Sequence, residues 1–179
     1  MNWLLKLDLG YEPLNRSLKA LVDLFNYLSA EKKRITEDIL ELAKEEKYAK
    51  RIELLESIPG IGTLSAMEIL VEIQDITRFK TADELAAYLG LTPSQYSSGE
   101  HIHMGHITHA GNTRARTTLV ESSWLLIGKD PEMKQKYQKI KERRGGKRAI
   151  VAVARNLSGR IRRMLLDQVP YKLNFQKAA

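Results

Sequence analysis

The sequence predicts a mainly α-helical protein in which a long N-terminal helix, or a coiled-coil hairpin, precedes a compact helical domain. Three observations support this. Apolar residues recur at heptad spacing from Leu14 to Leu42, two apolar helical stretches meet at a glycine turn at 58–62, and helical periodicity returns at Thr113 to Gly128 and again at Lys147 to Leu166. Only the stretch 91–107 alternates weakly, and it is broken by proline and glycine, which favours a small β-like loop.

The first helix carries a narrow apolar seam with a charged exterior. Its members are Leu14, Leu18, Leu21, Phe25, Leu28, Ile35, Ile39 and Leu42. A seam of this kind needs a partner helix, from a second chain or from a hairpin, so we expect a homo-oligomer through this helix. An ordinary amphipathic helix packed on its own domain is the alternative. The helical pattern continues to Leu55 and ends before Pro59, which predicts a helical segment 1–57.

The glycine turn IPGIG is followed directly by Thr63 and a second apolar helix. Gly60 and Gly62 permit a tight turn and a close backbone approach. A helix that begins at Gly62 or Thr63 directs unpaired N–H groups outward, where a phosphate is a natural ligand. The stretch resembles the helix-hairpin-helix motif, which grips the nucleic-acid backbone. A turn that uses the same glycines only to pack two helices is the alternative.

The remaining elements are marked by caps and periodicity. Thr81 and Glu84 form a predicted capping box for a third helix. The residues expected to face inward from the next helix are Leu119, Val120, Ser123, Trp124 and Ile127. Those expected to be buried by the last helix, Lys147 to Leu166, are Ile150, Val153, Ala154, Leu157, Ile161 and Leu165. The predicted domain is 58–170, and the tail 171–179 is expected to fray from about Pro170.

Charge is distributed unevenly along the chain. The net charge is +7, but residues 101–179 alone carry 17 basic and 5 acidic groups, whereas residues 1–57 carry 10 and 11. This imbalance indicates a polyanion partner, most simply DNA, and a solvated basic face is the alternative. The chain has no cysteine, so disulfides and thiolate metal sites are excluded. No signal peptide or membrane span is evident, and we expect a cytoplasmic protein without a membrane partner.

All four histidines and a serine pair fall within 94–112. Converging imidazoles could hold zinc as a hydrolase site, although their spacing matches no helical metal pair; contacts to phosphate and solvated surface histidines are the alternatives. Ser98, followed by Gly99, could attack phosphorus if a base, a metal or a positive field activated it. Arg114 and Arg116 lie downstream at a helix start, where they could neutralise a phosphate.

Several blocks occur in an order that resembles a known family. They read IPGIG at 58–62, RF at 78–79, LAAYLGLTPSQYSSGE at 85–100, GHITHAGNTRARTTLVE at 105–121 and KRAIVAVARNL at 147–157. Together they are similar to the C-terminal domain of insertion-sequence transposases of the one-ten and one-sixteen family, and the heptad helix resembles that family's coiled-coil linker. The resemblance covers about residues 50–168.

The resemblance implies an RNA-guided recombinase that cleaves and rejoins DNA through a covalent phosphoserine link. The family serine falls on Ser98, with Ser97 as the alternative. The nucleic-acid contacts expected from the glycine turn, the basic residues and the family blocks are Gly60, Gly62, Thr63, His101, His109, Asn112, Arg114, Arg116, Lys147 and Arg148. In this sequence His101 and His109 replace residues that are usually basic in the family, and Ala115 precedes Arg116 where a larger apolar residue is usual.

The family also implies a RuvC-like domain whose acidic residues bind a divalent metal, expected to be magnesium. Because Met1 directly precedes the coil, we expect that domain to be missing and the chain to be an incomplete catalytic unit, inactive alone. DNA and a guide RNA are the implied partners, in the nucleoid of a bacterial or archaeal cell. A non-enzymatic nucleic-acid-binding module, with the serines as bystanders, is the alternative function.

Overall fold

The computed structural model describes residues 3–98, 101–107 and 111–173, and at Leu5 and in the stretch 94–107 it describes no side chains. In these residues the chain forms two compact units, which divide between Leu42 and Ala43. The sequence places this boundary after residue 57 instead. Within the described ranges no helix is both long and apolar enough to cross a membrane.

The first unit consists of a short 3₁₀ helix, Leu4–Lys6, and the long helix α1, Glu12–Leu42. Ion pairs along the α1 surface, such as Arg34 with Glu31 and Asp38, support a solvated exterior. The apolar seam is also exposed, because the accessible fraction is 65% at Leu21 and 56% at Leu28. The predicted long N-terminal helix is confirmed, and its seam is left facing solvent.

The continuous helix predicted through Leu55 is interrupted. α1 ends at Leu42, residues 43–45 form a turn, and α2 spans Glu46–Glu56. Ile52, Leu54 and Leu55 of α2 are buried in the second unit. The apolar periodicity does not indicate this turn, and residues 43–45 contain no proline or glycine that would predict it.

In its described residues, the second unit contains the other helices and a β-hairpin. After α2 come α3 (Thr63–Ile73), a 3₁₀ turn (Ile76–Arg78) and α4 (Ala82–Tyr88). The strands β1 (Pro93–Ser98) and β2 (His101–Ile107) form an antiparallel pair, which confirms the predicted β-like loop. The helices α5 (Thr113–Leu126), α6 (Pro131–Arg144) and α7 (Gly146–Asp167) complete the unit.

The core is organised around α7, which packs against α2, α4, α5 and α6. All six residues predicted to be buried in the last helix are at most 5% exposed. In α5 the predicted burial of Leu119 and Ser123 is confirmed. The rest of the buried face, Ala115, Ser122 and Leu126, differs from the prediction. The expected burial of Trp124 is wrong, since it is 48% exposed, and Val120 and Ile127 are only partly buried. Small alanine and serine side chains allow close helix packing on this face, and they carry little apolar signal in the sequence.

Helix ends follow local capping chemistry. Thr81 caps α4 by accepting a hydrogen bond from the Glu84 N–H (3.1 Å), and the Glu84 carboxylate accepts from the Lys80 N–H (2.8 Å). Asp130 caps α6, with Pro131 at its first position. These caps fix where α4 and α6 begin.

Candidate nucleic-acid interface

The candidate nucleophiles lie at the end of the β1–β2 hairpin. Ser98 is paired with His101, and Ser97 with Ile102, so Ser98 is the last paired residue of β1. The register shifts between Pro93 and Gln95, which indicates an irregularity at the start of β1. The serine and histidine side chains of this hairpin lie outside the described residues.

The predicted histidine metal site falls on the same region. His101, His103 and His106 belong to β2 by backbone, and His109 lies outside the described residues. In the part of the chain whose side chains are described, no group of three histidine, aspartate or glutamate residues could hold a metal ion.

The start of α5, directly after the hairpin, is fixed by two close contacts. Gly111 has a φ of +106°, and a Cβ there would approach the Gly90 N atom to 2.7 Å. Asn112 caps α5 by accepting hydrogen bonds from the Arg114 N–H (2.8 Å) and the Ala115 N–H (3.1 Å). Its amide also donates to the Glu72 carboxylate of α3. Both polar atoms of the Asn112 side chain are therefore bonded within the protein.

The two arginines of this helix start differ in environment. Arg116 is partly buried, and its guanidinium donates to the Gly90 carbonyl (3.3 Å) and the Thr113 hydroxyl (3.4 Å). Arg114 is exposed, and the described residues offer it no carboxylate within ion-pair distance. Arg116 is thus held against the loop that precedes the hairpin, while the side chain of Arg114 is exposed.

In the glycine turn between α2 and α3, Gly60 and Gly62 have different surroundings. Gly60 has a φ of +95°, and a Cβ there would meet the Leu125 Cβ at 2.7 Å and the Ser122 carbonyl oxygen at 3.0 Å. Gly62, the N-cap of α3, has nothing within 4 Å of its Cβ position. The turn therefore packs on α5 through Gly60 and faces open space at Gly62.

A carboxylate lies at the same turn. The Thr63 hydroxyl donates to the Glu56 carboxylate (2.5 Å), which joins the end of α2 to the start of α3. The negative charge of Glu56 opposes a phosphate at this helix end, while the α3 dipole favours one. α2 and α3 are joined by a short turn, as the sequence predicts. The helix-hairpin-helix assignment and its phosphate contact stay predictions.

Basic residues gather where α6 ends and α7 begins. Lys141, Arg143 and Arg144 lie in the last turn of α6, where the helix dipole favours positive charge. Lys147 and Arg148 lie in the first turn of α7, where the dipole disfavours it. All five are exposed. This corner concentrates positive charge at a position where the α7 dipole gives Lys147 and Arg148 no stabilisation.

Sequence reasoning missed a buried polar cluster in the second unit. Asp130 is fully buried, pairs with Arg160 (3.2 Å) and accepts a hydrogen bond from the Tyr171 hydroxyl. Arg160 also pairs with Glu132 (2.7 Å), and the Tyr171 N–H donates to the Ser57 hydroxyl (2.8 Å). The fraying expected from Pro170 is therefore wrong for the described residues 170–173. Burial, together with the hydrogen bond to Asp130, raises the pKa of Tyr171 above its usual value.

The cluster had only a partial signal in the sequence. Asp130 followed by Pro131 and Glu132 is a recognisable helix start, but Arg160 and Tyr171 lie 30 and 41 residues further along the chain. Nothing in local spacing indicates that these three side chains meet.

Comparison with known proteins identifies related sequences. Residues 52–138 match the model of the family described as Transposase IS116/IS110/IS902 family. The chain is similar to the transposase for insertion sequence element IS1111A of Coxiella burnetii, with 31% identity over 140 residues, or 76% of this chain and 38% of that protein.

Two further relatives have related descriptions. A probable family 20 transposase of Pseudomonas aeruginosa is 29% identical over 87% of this chain and 46% of its own length. A pilin gene-inverting protein of Moraxella bovis is 36% identical over 60% of this chain and 34% of its own length. The chain spans less than half the length of these curated relatives. Through residues 52–138, it belongs to the IS116/IS110/IS902 transposase family.

Proposed function

We propose that this chain is the DNA-binding and strand-exchange part of a transposase, with Ser98 of the β1–β2 hairpin as the nucleophile. The observation that carries the proposal is the position of Ser98, the last paired residue of β1. The hairpin is followed by α5, whose first turn carries the exposed Arg114. The relatives described as transposases support DNA as the substrate.

The proposed reaction is a transesterification at a DNA phosphate. The Ser98 oxygen forms a bond to phosphorus, one phosphorus–oxygen bond of the DNA backbone breaks, and the departing sugar oxygen takes up a proton. Rejoining reverses these changes with a different DNA end. A serine hydroxyl is weakly acidic, so its proton must pass to a base or the oxygen must be activated by a metal. Arg114 would stabilise the charge on the phosphate.

The magnesium implied by the family does not fit the described residues. Their carboxylates are dispersed, and several are bonded to the protein itself: Glu72 to Asn112, Glu68 to Thr118, and Asp130 to Arg160. We therefore derive no step through a metal in this part of the chain, and we propose that acidic residues of a further domain or chain supply it.

The nucleophile is tested by trapping covalent adducts. Wild type, Ser98→Ala and Ser97→Ala chains are expressed together with DNA of the mobile element and with the acidic domain that is proposed to supply the metal, and protein–DNA adducts are precipitated with detergent. We expect Ser98→Ala to abolish adducts while salt-dependent DNA binding persists, and Ser97→Ala to retain them. The opposite pattern would assign the reaction to Ser97. Adduct yields equal to the wild-type yield in both variants would remove the serine pair from the mechanism.

A non-enzymatic nucleic-acid-binding module is the second candidate function. The exposed basic residues at the α6–α7 corner favour it, because they do not depend on the hairpin serines. In this case the chain binds DNA, and no adduct forms with either serine present even when the acidic domain is supplied.

We also propose that the chain associates through the α1 seam and that the oligomer binds a guide RNA. The exposed leucines of α1 support the association, since apolar residues at heptad spacing are stabilised by a partner helix. Sedimentation equilibrium of Leu28→Lys tests this, and Tyr27→Lys, which adds the same charge at an exposed position outside the seam, is the control. We expect only Leu28→Lys to weaken association. Sequencing of RNA that copurifies with the chain tests the second partner.

A further inference from the structure

An aromatic pair on the second unit is not used by the proposed strand exchange. Trp124 of α5 is 48% exposed, and its ring contacts that of Tyr137 of α6 edge-on, with centroids 5.5 Å apart and an interplanar angle of 65°. Most of the other large apolar side chains of α5 and α7 are buried. The exposed tryptophan is thus held in a defined orientation by a neighbouring ring.

Positive charge surrounds this pair on the α6 side. Lys134, Lys141 and Arg144 lie three residues before, four after and seven after Tyr137, so they share one face of α6 with it. All three are exposed, and the Lys141 ammonium lies 5.9 Å from the centre of the Tyr137 ring. An aromatic residue within a row of exposed cations is typical of surfaces that bind single-stranded nucleic acid.

The start of α7 borders the same pair. The Tyr137 hydroxyl lies 3.2 Å from the position that a Gly146 Cβ would take. Lys147 and Arg148 follow directly and extend the basic surface. Glu121, an exposed residue one turn before Trp124, would repel a phosphate along α5. The charges therefore favour a phosphate backbone that follows α6 and leaves the ring of Trp124 to a base.

We infer that Trp124 and Tyr137 form a stacking site for an unpaired base of single-stranded DNA, with Lys134, Lys141 and Arg144 contacting the flanking phosphates. The positive surroundings select a polyanion over an apolar protein partner, and a base in a duplex has no free face to offer. The choice of DNA rests on the proposed function, because strand exchange requires DNA strands to separate.

The test measures binding of full-length chain to three labelled probes: a thymidine homopolymer of about 20 nucleotides, a duplex of equal length, and a uridine RNA homopolymer. We expect Trp124→Ala to weaken binding of the thymidine probe by about 5-fold to 100-fold, the usual range for removal of one base–aromatic stack, and to change duplex binding by less than about 2-fold. Val71→Ala, at an exposed apolar position of α3, is the matched control and should bind as wild type.

The fluorescence of Trp124 provides a second measurement of base stacking. The chain has two tryptophans, so Trp3→Phe leaves Trp124 as the only indole fluorophore. We expect the thymidine probe to quench this fluorescence, and the duplex to quench it much less. Trp124→Phe keeps an aromatic face and should retain most of the affinity, which separates stacking from a folding defect of the alanine variant.

Several results would overturn the inference. They are unchanged thymidine binding in Trp124→Ala, equal losses for thymidine and duplex probes, and absence of quenching at saturation. Tighter binding of the uridine probe with the same dependence on Trp124 would assign the site to RNA and refute the choice of DNA. These binding measurements need no covalent adduct, so failure of the serine mechanism and failure of the stacking site can be told apart.

Discussion

Gly60→Ala tests how the turn between α2 and α3 is attached to the rest of the second unit. The added methyl group would lie 2.7 Å from the Leu125 Cβ and 3.0 Å from the Ser122 carbonyl oxygen, and both atoms are fixed to the α5 backbone. The φ of +95° adds conformational strain for any L side chain, about 1 kcal/mol or more. Overpacking of a filled site adds about 1–3 kcal/mol. We therefore expect a loss of about 3 kcal/mol in the free energy of unfolding.

Gly62→Ala is the matched control two residues away. Its backbone, with φ −104° and ψ 178°, is open to alanine, and nothing lies within 4 Å of the Cβ position. Alanine is a poorer N-cap than glycine, so we expect a loss of only about 0.5 kcal/mol. Because Gly62 faces open space, this variant is also the better probe of DNA contact at the turn.

Urea denaturation followed by circular dichroism measures both losses, and a change of about 3 kcal/mol in a chain of this size lowers the melting temperature by roughly 6–12 °C. The double variant Gly60→Ala with Leu125→Ala should not recover stability, because alanine at position 125 keeps the clashing Cβ. A free energy of unfolding for Gly60→Ala within about 0.5 kcal/mol of the wild type would refute the packing of this turn on α5.

Three further predictions concern side chains that the sequence analysis did not single out. Glu56→Gln keeps an acceptor for Thr63 but removes a negative charge from the turn. DNA affinity in low-salt filter binding should therefore rise by about 2-fold to 5-fold, and more than in the control Glu53→Gln on the same helix. Equal affinities of the two variants would argue against a phosphate at this turn. Asp130→Ala removes a helix cap and a buried partner of two side chains, and should cost about 3 kcal/mol of unfolding free energy in urea; a loss below about 1 kcal/mol would contradict the buried cluster. The pKa of Tyr171 is raised in the folded protein from an ordinary value of 10.0. Its contribution to stability is therefore constant below pH 10 and falls as the pH rises further, because only the unfolded chain then loses the proton. In urea titrations from pH 9 to pH 11, the free energy of unfolding should fall less steeply in Tyr171→Phe than in the wild type, and parallel declines would refute the shift.

The helices that the sequence predicted well are those with explicit local signals. Thr81, the predicted cap of α4, accepts a hydrogen bond from the Glu84 N–H. α7 was predictable because its buried residues repeat at helical spacing with large aliphatic side chains. In these segments local preference and tertiary packing agree.

The errors arose where tertiary contacts override or add to the local pattern. The turn at 43–45 breaks an apolar periodicity that continues across it. Helical periodicity predicts that Trp124 faces inward together with Ser123, but the buried face of α5 also includes Ser122 and leaves Trp124 exposed. The hydroxyls of Ser122 and Ser123 bond to carbonyls of the preceding turn. The Asp130 cluster depends on long-range contacts and has no local signature beyond the cap.

The basic character of the second unit depends on which charges are neutralised within it. Many carboxylates bond to the chain itself, as Asp83 does to Arg155 (3.0 Å) and Asp167 to Arg163 (3.1 Å). Lys147 and Arg148 are exposed without such partners in the described residues, so their charges remain available to a polyanion. The surface charge is therefore set by pairing as much as by composition.

The difference between paired and unpaired cations can be tested by mutation. Lys147→Gln with Arg148→Gln should reduce the slope of log affinity for duplex DNA against log salt by about 1 for each phosphate that the variant no longer neutralises. Arg163→Gln removes a cation that is equally exposed but paired with Asp167, and should leave the slope nearly unchanged, because a neutral pair attracts phosphate weakly. If both sets of variants reduce the slope equally per charge, the DNA responds to net charge alone and the α6–α7 corner is not a binding surface.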